Sequence, residues 1–265
     1  MPEGHAIHRI AAEHRTRFAG STVEVTSPQG RFLDAPRLDG RVLTDVEAFG
    51  KHLLYEFEAR RFLHVHLGLF GRVWTAEQPA PSARPTVRMR LAVDGWYADL
   101  VGPARCRLLD GDQRARLVAR LGPDPLRPEA DPGHAWRRLS SSAQPVAALL
   151  MDQTVVSGIG NVYRAELLFR AGLDPYRPGS QVEPDTWEAL WADTRRLLRA
   201  GVRSGRIVTT EPADRGRAAG RVRDDDAHYV YRRTGRACRR CGTPVRSAPL
   251  AGRTLYWCPS CQPVA

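Results

Sequence analysis

Four of the five cysteines form two pairs, Cys238-x-x-Cys241 and Cys258-x-x-Cys261, with sixteen residues between them. Each pair folds as a tight knuckle aiming two sulfurs to one side, and a hairpin between them brings the knuckles together. The spacing fits one zinc ion, with an iron–sulfur site or a redox pair as the alternatives. Four thiolates close the coordination sphere of zinc, so such a metal is structural and not hydrolytic. A second chemistry sits at the other end, in Met1-Pro2-Glu3-Gly4. Removal of Met1 leaves a secondary amine on Pro2, whereas retained Met1 makes that nitrogen an inert amide. An α-amino group titrates near pH ~8 and lysine near ~10.4, so far more of the former is free base at neutral pH. A free amine attacks a sugar aldehyde carbon to form a Schiff base. Glu3 could shuttle the protons this requires. The ordinary reading, a proline after the initiator and an acid in a first helical turn, remains open beside it.

Lys51 is the third feature. It is the one lysine among 40 Lys and Arg residues. Arginine keeps its proton, while lysine can be desolvated into an amine. Lys51 therefore either works near a reacting centre or is one solvated charge that survived an arginine-rich composition. The fifth cysteine, Cys106, reads as a small buried apolar residue.

The elements that must position these groups follow from the patterning. Apolar residues at helical spacing give an amphipathic helix from His5 to Phe18. β-Rich runs follow at Thr22–Thr26, Val42–Phe49, Leu53–Phe57, Phe62–Leu67, Arg72–Thr75, Val87–Val93 and Trp96–Leu100, separated mostly by Gly or Pro, as in an antiparallel sandwich or barrel. Gly50-Lys51 falls in a hairpin turn between two of them. After Leu121-Gly-Pro-Asp-Pro-Leu126 the pattern turns helical. One helix is expected through Val146, Leu149, Leu150 and Gln153, and a second after Gly158-Ile-Gly160 with Asn161 as N-cap. A third covers about Thr186 to Val202, with Trp187, Leu190, Trp191, Thr194, Leu197 and Leu198 inward. Residues 211–227 lack periodicity and read as a mobile loop or linker. The fold class expected is multidomain α+β: a β-sandwich domain with flanking helices over 1–118, an all-α domain over 119–227, and a zinc-ribbon hairpin over 228–265.

A formal charge of +11 and a pI near 10.2 point to a polyanion, nucleic acid before membrane. There is no 18-residue apolar run and no signal-peptide layout. Paired cysteines with metal spacing fit a reducing, cytoplasmic compartment. From Ala227 to the end there are seven arginines and no acid, so even a zinc tetrathiolate leaves that module near about +5. Arg253 lies between the knuckles, where a rigid base can project it.

Together, MPEG at the start, the Gly50-Lys51 turn, Leu121-Gly-Pro-Asp-Pro-Leu126, Gly158-Ile-Gly-Asn-Val-Tyr163 and the final Gly-Arg-Thr-Leu-Tyr-Trp-Cys resemble the formamidopyrimidine-DNA glycosylase and endonuclease VIII family. The resemblance spans nearly the whole chain and favours the endonuclease VIII branch. It implies a monomeric bifunctional enzyme, near the nucleoid, that excises oxidised bases from damaged DNA and cleaves the abasic site by β- and δ-elimination. Pro2 would be the nucleophile and Glu3 the proton donor. Lys51 would donate a proton in β-elimination or hold a phosphate, and Arg253 would grip phosphate and serve δ-elimination. Asn161, in a helix–two-turns–helix motif, and Arg120 would contact DNA, and Glu166 would line the pocket. Leu69 and Phe70 resemble the loop that fills the void left by a flipped nucleotide; flipping exposes C1′ to attack. His64 and His66 share a strand face and read as packing or DNA-side hydrogen bonding.

Two departures bear on the lesion. Gly68 stands where endonuclease VIII has glutamine. Asp99-Leu-Val-Gly-Pro-Ala-Arg-Cys106 replaces the Arg-Arg-Phe loop of the formamidopyrimidine branch, which argues for oxidised pyrimidines. The 211–227 loop either covers the flipped base or links domains. The rival reading is a non-catalytic zinc-ribbon DNA-binding protein that keeps the fold.

Overall fold

The computed structural model describes residues 2–215 and 222–264, and the chain forms two units, Met1–Arg120 and Leu121–Ala265. The first opens with α1 (Gly4–Phe18), whose Ile7, Ala11, His14 and Phe18 are buried along one stripe. Eight strands follow: β1 (Thr22–Thr26), β2 (Arg41–Phe49), β3 (His52–Phe57), β4 (Arg61–His66), β5 (Arg72–Glu77), β6 (Val87–Val93), β7 (Trp96–Val101) and β8 (Arg105–Leu109). They hydrogen-bond antiparallel in the order β5-β7-β6-β1-β2-β3-β4-β8. β1 and β2 share only the pairs Thr22–Val42 and Val23–Arg41, and there the sheet passes from one layer to the other. Val23, Leu91 and Leu100 from one layer and Leu43, Leu53 and Leu63 from the other fill a common core. This is the expected β-sandwich. Burying each such side chain contributes about 1.5–3 kcal/mol.

β3 is apolar on both faces, and the structure shows why. Leu53 enters the sandwich core, while Leu54 packs with Phe62 and Leu109 beneath Leu117 and Val118. Those last two belong to α2 (Gly111–Ala119), which starts on a capping box between Asp110 and Gln113.

The second unit is helical: α3 (Pro132–Ser140), α4 (Val146–Leu149), α5 (Asn161–Arg170) and α6 (Pro184–Ser204), then the hairpin β9 (Arg246–Leu250) and β10 (Arg253–Trp257). Every predicted inward residue of α6 is buried. Trp187, Leu190, Leu197 and Leu198 pack with Leu139, Leu149, Leu167 and Leu255. Leu255 lies on β10, so the ribbon shares the helical core, and the structure groups residues 121–265 together.

Two local expectations are corrected. The helix foreseen through Gln153 stops at Leu149. Gln153 instead braces the next turns: its amide donates to Met151 O (2.9 Å) and Ile159 O (3.1 Å) and accepts from Gly158 N (3.0 Å). Asn161 is not the N-cap of α5; extended Gly160 is, and Asn161 is the first helical residue. Its side chain is drawn away from the helix end by partners on β10. The loop expected over 211–227 contains short 3-10 turns at Pro212–Asp214 and Asp224–Asp226, and its residues 216–221 lie outside the described residues.

Candidate active site and nucleic-acid interface

In the first unit, half-buried Pro2 and fully buried Glu3 lead into α1. Glu3 occupies the N-cap position with extended backbone, and its carbonyl accepts from Ala6 N at 2.9 Å. The positive end of a helix therefore lies beside the Pro2 nitrogen. A polar chain in the core anchors the C-terminal half of α1. His14 Nδ1 bonds the Tyr55 hydroxyl (2.9 Å) on β3, and its Nε2 bonds the Thr75 hydroxyl (2.9 Å) on β5. Burial pushes His14 down to about 3, so it works as a neutral link between α1 and both layers.

Lys51 sits in the two-residue turn closed by the pair Phe49–His52. Gly50 takes φ +58°, open to glycine at low cost, at the first turn position. Beneath the turn lies a histidine cluster. His52 Nδ1 is 2.9 Å from His64 Nε2, their rings stack at 5.1 Å, and the His66 ring is 5.0 Å from that of His52. Burial is the main cause lowering all three: His52 to about 4 and His64 to about 3, with Lys51, Arg105 and Arg107 adding to the effect on His52. Lys51 thus lies near imidazoles whose burial disfavours the charged form. His52 escaped the sequence reading because it joins His64 and His66 only through the β3–β4 register.

Between β4 and β5, Leu69 is 43% and Phe70 83% exposed. Two close approaches hold this tip. A Cβ on Gly68 would lie 2.7 Å from Ala104 Cβ, and one on Gly71 would lie 2.3 Å from Leu67 O. Two apolar side chains held outward on a rigid turn suit insertion into a base stack. Cys106, on β8, packs against the core, and burial pushes its thiol up to about 12, which favours the protonated form. Arg120 is exposed at the C-cap of α2.

The second unit carries the other expected DNA contacts. α5 is buried on nearly every side, including Arg164. Arg164 donates to Asn161 Oδ1, Leu250 O (3.2 Å) and Thr254 O (3.3 Å), and Asn161 Nδ2 donates to Thr254 O at 2.9 Å. These bonds pin the β9–β10 hairpin to the start of α5. Arg253, exposed, follows the Ala251-Gly252 turn of that hairpin. Trp257 serves packing, edge-on to Tyr176 at 5.6 Å.

Glu166 is a correction. It does not offer its carboxylate to a pocket; it is fully buried and accepts from Tyr229 N (2.7 Å), Val230 N (2.8 Å), Tyr231 N (2.8 Å) and the Thr209 hydroxyl. Thr209 N also donates to Ala227 O (2.9 Å), so one carboxylate clamps both ends of the segment expected as a loop. An acid inside the Asn161–Arg170 helix gives no sequence sign of this. Two ribbon arginines are likewise engaged within the fold: Arg240 lies over the Tyr229 ring at 4.9 Å, and Arg239 donates to His228 O at 3.1 Å.

The Sγ atoms of Cys238, Cys241, Cys258 and Cys261 all lie within 4.8 Å of one another. Those of Cys238 and Cys261 are 3.8 Å apart and those of Cys241 and Cys258 3.4 Å. Zinc–sulfur bonds of about 2.3 Å at tetrahedral angles need sulfurs roughly 3.8 Å apart. The donor set fits one structural zinc.

Three family descriptions match the chain: "Formamidopyrimidine-DNA glycosylase N-terminal domain" over residues 1–110, "Formamidopyrimidine-DNA glycosylase H2TH domain" over 121–212 and "Zinc finger found in FPG and IleRS" over 235–264. Among similar proteins, Endonuclease 8 1 of Mycobacterium tuberculosis is 46% identical, across 99% of this chain and 100% of that one. A formamidopyrimidine-DNA glycosylase of Thermus thermophilus is 32% identical, across 99% and 98%. The crystal structure of the MutM (Fpg) protein of Thermus thermophilus superposes with a TM-score of 0.78 at 30% identity, covering 98% of each chain. A Lactococcus lactis Fpg mutant in complex with Fapy-dG containing DNA gives 0.80 at 23% identity, covering 99% and 100%, a likeness of fold.

Proposed function

The chain belongs to the formamidopyrimidine-DNA glycosylase and endonuclease 8 family, and from that premise we propose that it is a base-excision-repair DNA glycosylase and AP lyase acting through the Pro2 amine. The observation that carries this reading is the Pro2-Glu3 pair leading directly into α1, in a chain alignable end to end with named repair enzymes. The rival of a non-catalytic binder has no support among these relatives.

In the proposed reaction the Met1-free Pro2 nitrogen attacks C1′ of a flipped nucleotide, and the base leaves with a proton. Loss of the ring oxygen bond gives an iminium, covalent catalysis by an amine. Glu3 moves protons to the sugar and the departing base. The iminium acidifies C2′; its proton is removed, and the 3′ phosphate departs by β-elimination. A second elimination releases the 5′ phosphate. Lys51 donates a proton or holds a phosphate during the first elimination, and Arg253 holds phosphate for the second. Arg120 and Asn161 add backbone contacts, and Leu69 and Phe70 fill the gap in the stack. Zinc supplies no chemistry here; it fixes the hairpin that presents Arg253.

The favoured substrate is an oxidised pyrimidine, because the β7–β8 turn is a short Gly102-Pro103-Ala104 and carries no Arg-Arg-Phe wedge. We read the protein as a cytoplasmic monomer acting at the nucleoid; among the described residues no helix is long and apolar enough to cross a membrane. Duplexes carrying a single 5-hydroxycytosine, thymine glycol or 8-oxoguanine test the substrate. Single-turnover excision should be at least about tenfold faster for the pyrimidines, and a preference for 8-oxoguanine overturns the assignment.

A further inference from the structure

A cavity of about 660 Å³ lies on the outer face of the β5–β7–β6 layer, and none of the residues assigned to the reaction line it. Strand alternation makes it. Ala98 and Leu100 of β7 enter the core, which turns Tyr97, Asp99 and Val101 outward. On β5, Val73 packs against the core and Trp74 faces out, 55% exposed. The segment from Pro81 to Thr86 forms the cover.

The floor is pre-organised. Arg90 makes a bidentate pair with Asp99 (2.7 and 2.8 Å), with both side chains at most 15% exposed. Its remaining nitrogen donates to Pro81 O at 2.7 Å, tying the cover down, and its guanidinium lies 4.9 Å from the Tyr97 ring centre. Asp99 balances Arg90, so the interior carries no net charge and is no seat for a phosphate. What it offers is aromatic and apolar surface, with exposed Arg84 on the cover at the rim.

Ring surface within and a cation at the mouth suit a nucleobase whose phosphate stays outside. Trp74, on β5, also follows Phe70 of the preceding turn by four residues, so their Cα atoms are at most roughly 13 Å apart. That is at most about four nucleotide steps at the stacked rise of about 3.4 Å. We propose that this cavity accepts an unpaired base of a single strand flanking the site where Leu69 and Phe70 enter the duplex. The position of that flank rests on the proposed function, but base binding itself does not.

The test uses the zinc-loaded full chain and lesion-free probes: an eight-nucleotide oligothymidylate, a blunt duplex, and inorganic polyphosphate of matched charge. Trp74→Ala should weaken oligothymidylate binding about tenfold, with duplex and polyphosphate affinities within twofold of the unsubstituted protein. Trp74→Phe, which keeps a ring, should restore oligothymidylate binding to within threefold. Unchanged oligothymidylate binding in Trp74→Ala overturns the proposal. Equal loss for all three probes also overturns it, since that marks a charge or folding effect. Base excision from a blunt lesion duplex reports separately on the enzymatic reading; its absence sinks that reading while the probe comparison still decides the pocket.

Discussion

Lys51 is proposed to donate a proton or hold a phosphate from the turn between β2 and β3. Its turn lies near His52 and His66, with Arg105 also supplying fixed charge nearby. If proton transfer is its task, Lys51→Arg should keep DNA affinity within about threefold while β-elimination falls by about tenfold or more, since general acid catalysis contributes about 10²–10⁴-fold. Gel-shift titration on abasic DNA and single-turnover strand cleavage measure the two. Normal cleavage would reduce the lone lysine to chance. The histidines also set a pH limit. Burial pushes His5 and His52 down to about 4, and His14 and His64 to about 3. In the unfolded chain each takes a proton near pH ~6.5. The unfolded state therefore binds more protons below that pH, and stability is lost as pH falls from ~6.5 toward those values. Thermal unfolding should show Tm falling between pH 7 and 5, above the range where most carboxylates titrate. A flat Tm across that window would contradict the buried, neutral assignment.

At the scale of elements, Glu166 is the clearest case of structure behind function. Its carboxylate satisfies three successive backbone N–H groups and the Thr209 hydroxyl, so one side chain ties together both sides of the stem of the 211–227 segment. Buried donors left unpaired cost about 1–3 kcal/mol each. Glu166→Ala should open this stem, raising hydrogen exchange at Tyr229–Tyr231 and proteolysis within 211–227, while the amides of β3 and β4 in the other unit stay protected. Equal protection in both proteins would remove the clamp. Which elements were legible follows from how they meet water. α1 and α6 bury one stripe against a core, and β1 and β6 largely alternate, so their periodicity stands out. β8 was missed because Arg105 and Arg107 outweigh Cys106 and Leu108, and α2 because it buries no residue fully. α3 carried a readable signal in Asp131-Pro132, whose carboxylate accepts from Gly133 N (2.8 Å) and His134 N (3.1 Å). The zinc cysteines were legible because their chemistry is local. The roles of Asn161, Arg164 and Glu166 were not, since their partners lie some 40 to 90 residues away in sequence and come near only through folding.

Across the whole molecule, the net charge of +11 supplies a sequence-independent pull toward DNA, while two separate units carry the specific chemistry. The first holds Pro2, Glu3, Lys51 and the apolar tip; the second holds Asn161, Arg253 and the zinc hairpin. The proposed reaction turns on attack by the Pro2 nitrogen. Borohydride trapping on an oligonucleotide with one abasic site tests that step, with intact mass first establishing that Met1 is gone. The account predicts a covalent protein–DNA adduct whose linkage maps by peptide mass to Pro2, and no adduct from Pro2→Gly at equal DNA occupancy if proline's secondary amine is required. An adduct mapped to Lys51, or no adduct at all from the Met1-free protein, would contradict it.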